Sequence, residues 1–125
     1  MWIVPLPTHV ILPSGTRFSL NLNIYRNAHH YILNQAKVAF TEQVTPLLGS
    51  IPQLNHCSIK YTLFTPTKRL CDVANVCSIV DKFFCDTLVK AKVIPEDNYL
   101  IVNSVQYCFG GVDKDNPRVE ALILY

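Results

Sequence analysis

The stretch from Asp72 to Lys92 carries Val76, Val80, Phe83, Thr87 and Ala91 along one stripe at helical spacing. A helix this long and this one-sided must bury its stripe, and the segments around it decide against what. From Arg17 the pattern alternates, with Phe18, Leu20, Leu22 and Ile24 apolar and Ser19, Asn21, Asn23 and Tyr25 between them, which predicts a half-buried strand. The period then lengthens: Ala28, Tyr31, Ile32, Ala36, Ala39 and Phe40 recur at three- and four-residue steps. With Asn27 as N-cap and Pro46 and Gly49 at its close, a helix is predicted over roughly 28–45. Ile59, Tyr61 and Leu63 alternate with Lys60 and Thr62 in a strand around His56–Phe64. Two more strands, Leu100–Phe109 and Val119–Leu124, close the chain around a hairpin turn containing Asp113-Lys-Asp-Asn116. Residues 1–16, with Pro5, Pro7 and Pro13, read as an extended lead-in with an edge strand near Val10–Leu12. The order β-α-β-α-β-β predicts a single α+β domain over 1–125, a mixed sheet of about four strands with both helices on one face.

Composition excludes several classes. Half of the 125 residues are apolar and 16% are charged, far from a disordered linker. Eleven Lys and Arg against nine Asp and Glu leave a net charge of +2, so any nucleic-acid contact must come from a local patch. Five cysteines, at 57, 71, 77, 85 and 108, form no C-x-x-C pair and have no histidine at zinc-finger spacing. They read as reduced core thiols of a soluble cytoplasmic protein. The first residues lack a basic segment and are broken by prolines, unlike a signal peptide. No apolar run approaches the ~18 residues that cross a bilayer, so no membrane role is expected.

Five of the nine acidic residues fall between 72 and 97: Asp72, Asp81, Asp86, Glu96 and Asp97. On a helical wheel Asp72, Asn75, Lys82 and Asp86 lie within about 80° of one another, away from Phe84 and Leu88, while Asp81 projects to the other flank. Asp72 and Asp86 are separated by about 21 Å of helix and cannot share an ion. A hard cation such as Mg²⁺ would need Asp72 and a second carboxylate from elsewhere, and the turn with Glu96 and Asp97 is the obvious donor. Asp72 equally suits an ordinary helix N-cap. Lys68 and Arg69 just before Asp72, and Arg26, His29 and His30 among tyrosines and asparagines, could position a phosphodiester strand or form a solvated polar face. Adjacent on a helix, His29 and His30 make a poor metal clamp. No phosphate-cradling glycine loop or nucleophile elbow supports a small-molecule enzyme.

Lys68-Arg-Leu-Cys-Asp-Val-Ala-Asn75, the helix through Phe84-Cys-Asp-Thr-Leu88, and Lys90-Ala-Lys-Val-Ile-Pro-Glu-Asp97 together resemble the RusA family of Holliday junction resolvases. The closing Asn116-Pro-Arg-Val-Glu-Ala-Leu-Ile is similar to phage-encoded members. The resemblance is strongest over about 68–102. It implies a homodimeric, Mg²⁺-dependent endonuclease (Mn²⁺ as substitute) that cuts four-way junctions symmetrically in the host cytoplasm. By position it makes Asp72 and Asp97 metal ligands, Lys82 the catalytic lysine and Asn75 a supporting residue. Two departures stand out: Ala74 occupies the place of the second family aspartate, and the segment from Asn75 to Lys82 is about four residues longer. Glu96 or Asp81 is the expected substitute for the missing carboxylate. Arg26, His29, His30, Lys60, Lys68 and Arg69 are the expected DNA contacts. The rival expectation is a non-catalytic domain on the same scaffold that binds branched DNA or a protein.

Overall fold

The computed structural model describes residues 1–125. The Asp72 side chain accepts the Ala74 N–H at 3.0 Å, so helix α3 (Val73–Lys90) starts where its stripe begins. It links strand β4 (Cys57–Thr65) to strand β5 (Val102–Val112), which lie parallel side by side. Strand β6 (Arg118–Leu124) pairs antiparallel with the other side of β4, and β1 (Trp2–Leu6) pairs antiparallel with β6. The result is the expected mixed four-stranded sheet of an α+β domain, in the order β1-β6-β4-β5.

Alternation along β4 sorts its two faces: Cys57, Ile59, Tyr61, Leu63 and Thr65 are buried, and the residues between them are partly open. Helix α2 (His30–Val44) and α3 cover the buried face. Their contact is built on Phe40 and Phe83, edge to face at 5.7 Å. The one fully buried polar side chain in that layer, Thr87, donates to the Phe83 carbonyl at 2.9 Å and therefore accepts from Thr41 at 3.0 Å. No helix is long and apolar enough to cross a membrane.

Four expectations need correction. The strand expected from Arg17 stops after three residues, as β3 (Arg17–Ser19). Asn21 then accepts the Ile24 N–H at 2.9 Å and starts a short helix, α1 (Leu22–Asn27), so the alternation over 22–25 belongs to a helix instead of a strand. Asn27 ends α1, and the N-cap of α2 is His29, whose Nδ1 accepts the Tyr31 N–H. The proline-rich lead-in contributes the outer strand β1, with Pro5 on the sheet's rim, while β2 (His9–Ile11) pairs with β3 in a separate ribbon. Finally, residues 113–117 are not a hairpin turn, because β5 and β6 flank β4. They span its end instead, and the Asp113 N–H donates to the Thr65 carbonyl at 2.7 Å.

Two local devices finish these elements, one on the open face of the sheet and one at the end of α3. At Gly110 the β4–β5 register slips by one residue, and an added Cβ would lie 2.6 Å from Thr62 Cγ2 and 2.7 Å from the Phe64 ring. Phe64 covers that glycine and is itself covered by the Arg118 guanidinium at 4.1 Å. At the far end of α3 the Val93 N–H donates to the Leu88 carbonyl and the Lys92 N–H to that of Val89, a closure that places Lys92 at φ 61°. That left-handed conformation costs a side-chain-bearing residue about 1 kcal/mol, and glycine avoids the cost. Lys92→Gly should therefore raise stability by about 0.5–1 kcal/mol. A urea midpoint that stays put or falls would contradict this account of the helix end.

Candidate functional site

The start of α3 opens at the carboxyl end of β4 into a groove of about 530 Å³. Two segments far apart in the chain supply most of its lining: Arg17 to Asn21, and the stretch that runs from Thr65 through the loop to Asp72 and on to Asn75, one turn into the helix. Asn75 Oδ1 accepts the Leu22 N–H at 3.1 Å, which ties the start of α1 to the start of α3 and draws Ser19 and Asn21 to the groove. The loop folds on its own threonines. Thr65 Oγ1 donates to the Thr67 carbonyl at 2.9 Å, and the Arg69 N–H donates to Thr67 Oγ1 at 3.3 Å. Arg17 and Arg69 thus line the groove with Asp72. Capping uses one oxygen of the exposed Asp72 carboxylate and leaves the other without a protein partner. Two guanidinium groups, an amide and a helix N-terminus suit phosphate oxygens.

The remaining expected site residues are scattered. Asp97 and Glu96 line a different hollow with Asp86, Val89 and Lys90, at the opposite end of α3. Along the helix that places them about 20 Å or more from Asp72. Within one chain the two carboxylates do not converge, and no group of three His, Cys, Asp or Glu side chains could hold a metal ion. Glu96 accepts instead from Asn98 Nδ2 at 2.8 Å. Lys82 is exposed about 15 Å along α3 from Asp72 and does not join the groove. Of the expected DNA contacts, Arg69 lines the groove and Lys68 an adjoining hollow. Lys60 lies on the open face of the sheet, Arg26 in the last turn of α1, and the His29 and His30 rings rest on one another at 4.2 Å. None of these four lines the groove. Arg17 does, and sequence reasoning missed it: its only signal was being the one charge at the head of an alternating segment.

Asp81 has a different role. Its Oδ1 accepts from the Tyr61 hydroxyl at 2.6 Å and its Oδ2 from the Tyr107 hydroxyl at 2.9 Å, with the Cys85 thiol at 3.3 Å from Oδ1. Those donors engage both oxygens, and Asp81 does not line the groove that holds Asp72. The sign was its flank of the wheel, beside Phe84 and Leu88. Asp81→Ala should cost about 2–4 kcal/mol, because the hydroxyl of the fully buried Tyr61 would lose its acceptor. Urea unfolding checks this.

Burial first, and the Asp81 carboxylate after it, hold the Tyr107 proton well above the usual tyrosine range; Tyr61 is raised by burial, Cys85 and Asp81. Burial likewise raises Cys85 and pushes Cys77 up to about 12. The folded chain therefore retains protons that the unfolded chain releases above about pH 9 for thiols and about pH 10 for phenols. The stabilisation is complete below that range and declines as pH rises through it. Unfolding curves collected from pH 8 upward should show the decline; a flat profile would mean that these groups ionise as freely folded as unfolded.

No protein-family model matches the chain, and no curated protein matches it in sequence.

Proposed function

We propose that this chain acts on branched DNA as a RusA-like, Mg²⁺-dependent endonuclease, gripping the phosphodiester backbone in the groove at the start of α3. One observation carries the reading: Arg17 joins Arg69, Asn75 and the free oxygen of Asp72 there from a segment about fifty residues earlier in the chain. The arginines would hold phosphates on either side of the scissile bond, and the positive end of the α3 dipole favours them there. Asn75 commits its carbonyl to Leu22, so its NH₂ is the end left for a phosphate oxygen. Mg²⁺, with Mn²⁺ as substitute, would supply charge neutralisation and an activated water. A single chain offers it one available carboxylate in the groove, which does not fit a bound ion. The reading therefore requires a homodimer in which Asp97 or Glu96 of a second copy reaches the Asp72 groove. Five unpaired cysteines suit the reducing cytoplasm.

The second reading, a non-catalytic domain that binds branched DNA or a protein, draws on two observations. Ala74 stands where the resemblance expects an aspartate, and Asp72 and Asp97 lie at opposite ends of α3. A synthetic four-way junction incubated with the protein and Mg²⁺ separates the two. On the nuclease reading paired nicks appear, and Asp72→Asn lowers the rate by at least about 100-fold. Arg17→Ala and Arg69→Ala should each weaken junction binding and reduce the salt slope by about 1. Full cleavage by the Asp72→Asn protein would sink the assignment. Junction binding without scission in either metal would establish the second reading.

A further inference from the structure

We propose that a hollow beside the groove receives an unpaired base of the nucleic-acid strand whose phosphates the groove holds. The hollow measures about 450 Å³ and lies between β2 and the last turn of α2, a size suited to small ligands. It is continuous with the groove along one wall, since Thr8 and Pro117 line both. The β2–β3 ribbon builds that wall. Its register pairs His9 with Ser19 and Ile11 with Arg17, while Val10 and Phe18 between them are buried in the core. The opposite face of the ribbon turns Arg17 and Ser19 to the groove and His9 and Ile11 to the hollow.

The chemistry of the hollow selects its ligand. Thr8, His9, Gln43 and Asn116 line it, and none of their side chains makes a hydrogen bond within the chain. The backbone beneath is nonetheless fixed. The Thr8 carbonyl accepts the Leu20 N–H at 2.9 Å, and the Asn116 N–H donates to Asp113 Oδ1 at 3.2 Å. The only charged side chain in the lining, Arg118, is already held by Asp113 at 2.8 Å and Glu120 at 3.0 Å. Burial, and after it the Arg17 charge, lower the His9 pKa, so its ring is neutral at about pH 7. An anionic group finds its cations in the groove instead, where Arg17 and Arg69 make no ion pair. The hollow asks for a neutral ligand with hydrogen-bonding edges. Gln43 and Asn116 each present a donor and an acceptor together, the pattern carried by the edge of a nucleobase. Pro7 and Pro117 add apolar rings against which the face of a base can be buried. A base stacked and paired in a duplex offers neither face nor edge, so the one received here must be turned out of its stack. The inference rests on the reading of the groove as a phosphate site, whether or not the strand is cut.

Fluorescence anisotropy of the full chain tests the hollow with two labelled DNA strands of equal length. One has a mixed sequence, and the other is made wholly of abasic deoxyribose phosphates. The mixed strand is expected to bind at least about tenfold more tightly. Gln43→Ala with Asn116→Ala, both at exposed positions, should remove most of that advantage. The same pair should leave the affinity for the abasic strand and the circular dichroism spectrum unchanged, whereas Arg17→Ala should weaken both strands alike. Equal affinity for the two strands, or a double variant that keeps the advantage or weakens both strands alike, overturns the hollow and leaves the groove standing. Binding of neither strand overturns both. Displacement of the mixed strand by deoxynucleoside 5′-monophosphates at equal nucleotide concentration would assign the hollow to free nucleotides and overturn its role on a strand. The expected base dependence with a four-way junction left uncut retires the cleavage reading alone.

Discussion

Neighbouring parallel strands cannot be joined by a tight turn, and here β4 and β5 are parallel neighbours. The chain must return across one face of the sheet, and α3 is that return. Most of the architecture follows from it. The helix runs opposite to both strands, so its start stands over the carboxyl end of β4 and its finish over the beginning of β5. Burying Ile79, Val80, Phe83, Phe84 and Leu88 against the sheet then leaves the two helix ends as separate chemical neighbourhoods. The first collects arginines and asparagines; the second collects Glu96, Asp97 and Asp86. Carboxyl ends of strands beside a helix start are favoured ligand positions in sheets of this kind.

Between those ends, Asp81 shows how a helix carboxylate can serve the fold. Tyr61 is fully buried, and its hydroxyl needs an acceptor; Asp81 supplies one and ties in Tyr107 from the edge strand as well. The charge sits partly exposed beneath β5, held by phenols instead of cations. It fastens the edge strand to α3 through side chains where backbone pairing exists on one side only.

Residues whose neighbours in sequence are also their neighbours in space were the legible ones. The stripe of α3, the alternation of β4 and the cap at Asp72 each follow from local spacing, and each formed where expected. The alternation from Phe18 to Ile24 misled because a single bond, Asn21 to the Ile24 N–H, outweighed four residues of period-two pattern. Strand β1 was hidden by its prolines, whose tolerance at a sheet rim depends on which strand lies beside them. The groove was half legible. Asp72, Asn75 and Arg69 were singled out from one segment, but Arg17 enters only because the Leu22 N–H reaches Asn75 across 53 residues of chain. The separation of Asp72 from Asp97 depends on which end of a helix a later turn packs against, and local spacing does not encode that.

The placement of β6 has a consequence for how the molecule is made. It lies between β1 and β4, so both of these earlier strands find a partner in a stretch synthesised after β5. Until that stretch leaves the ribosome, β4 can pair with β5 alone and β1 with nothing. Closing loops that long is slow. Folding of this domain is thus deferred until β6 has been made, and the apolar face of β4 has to wait in an unfinished sheet while the intervening residues are added.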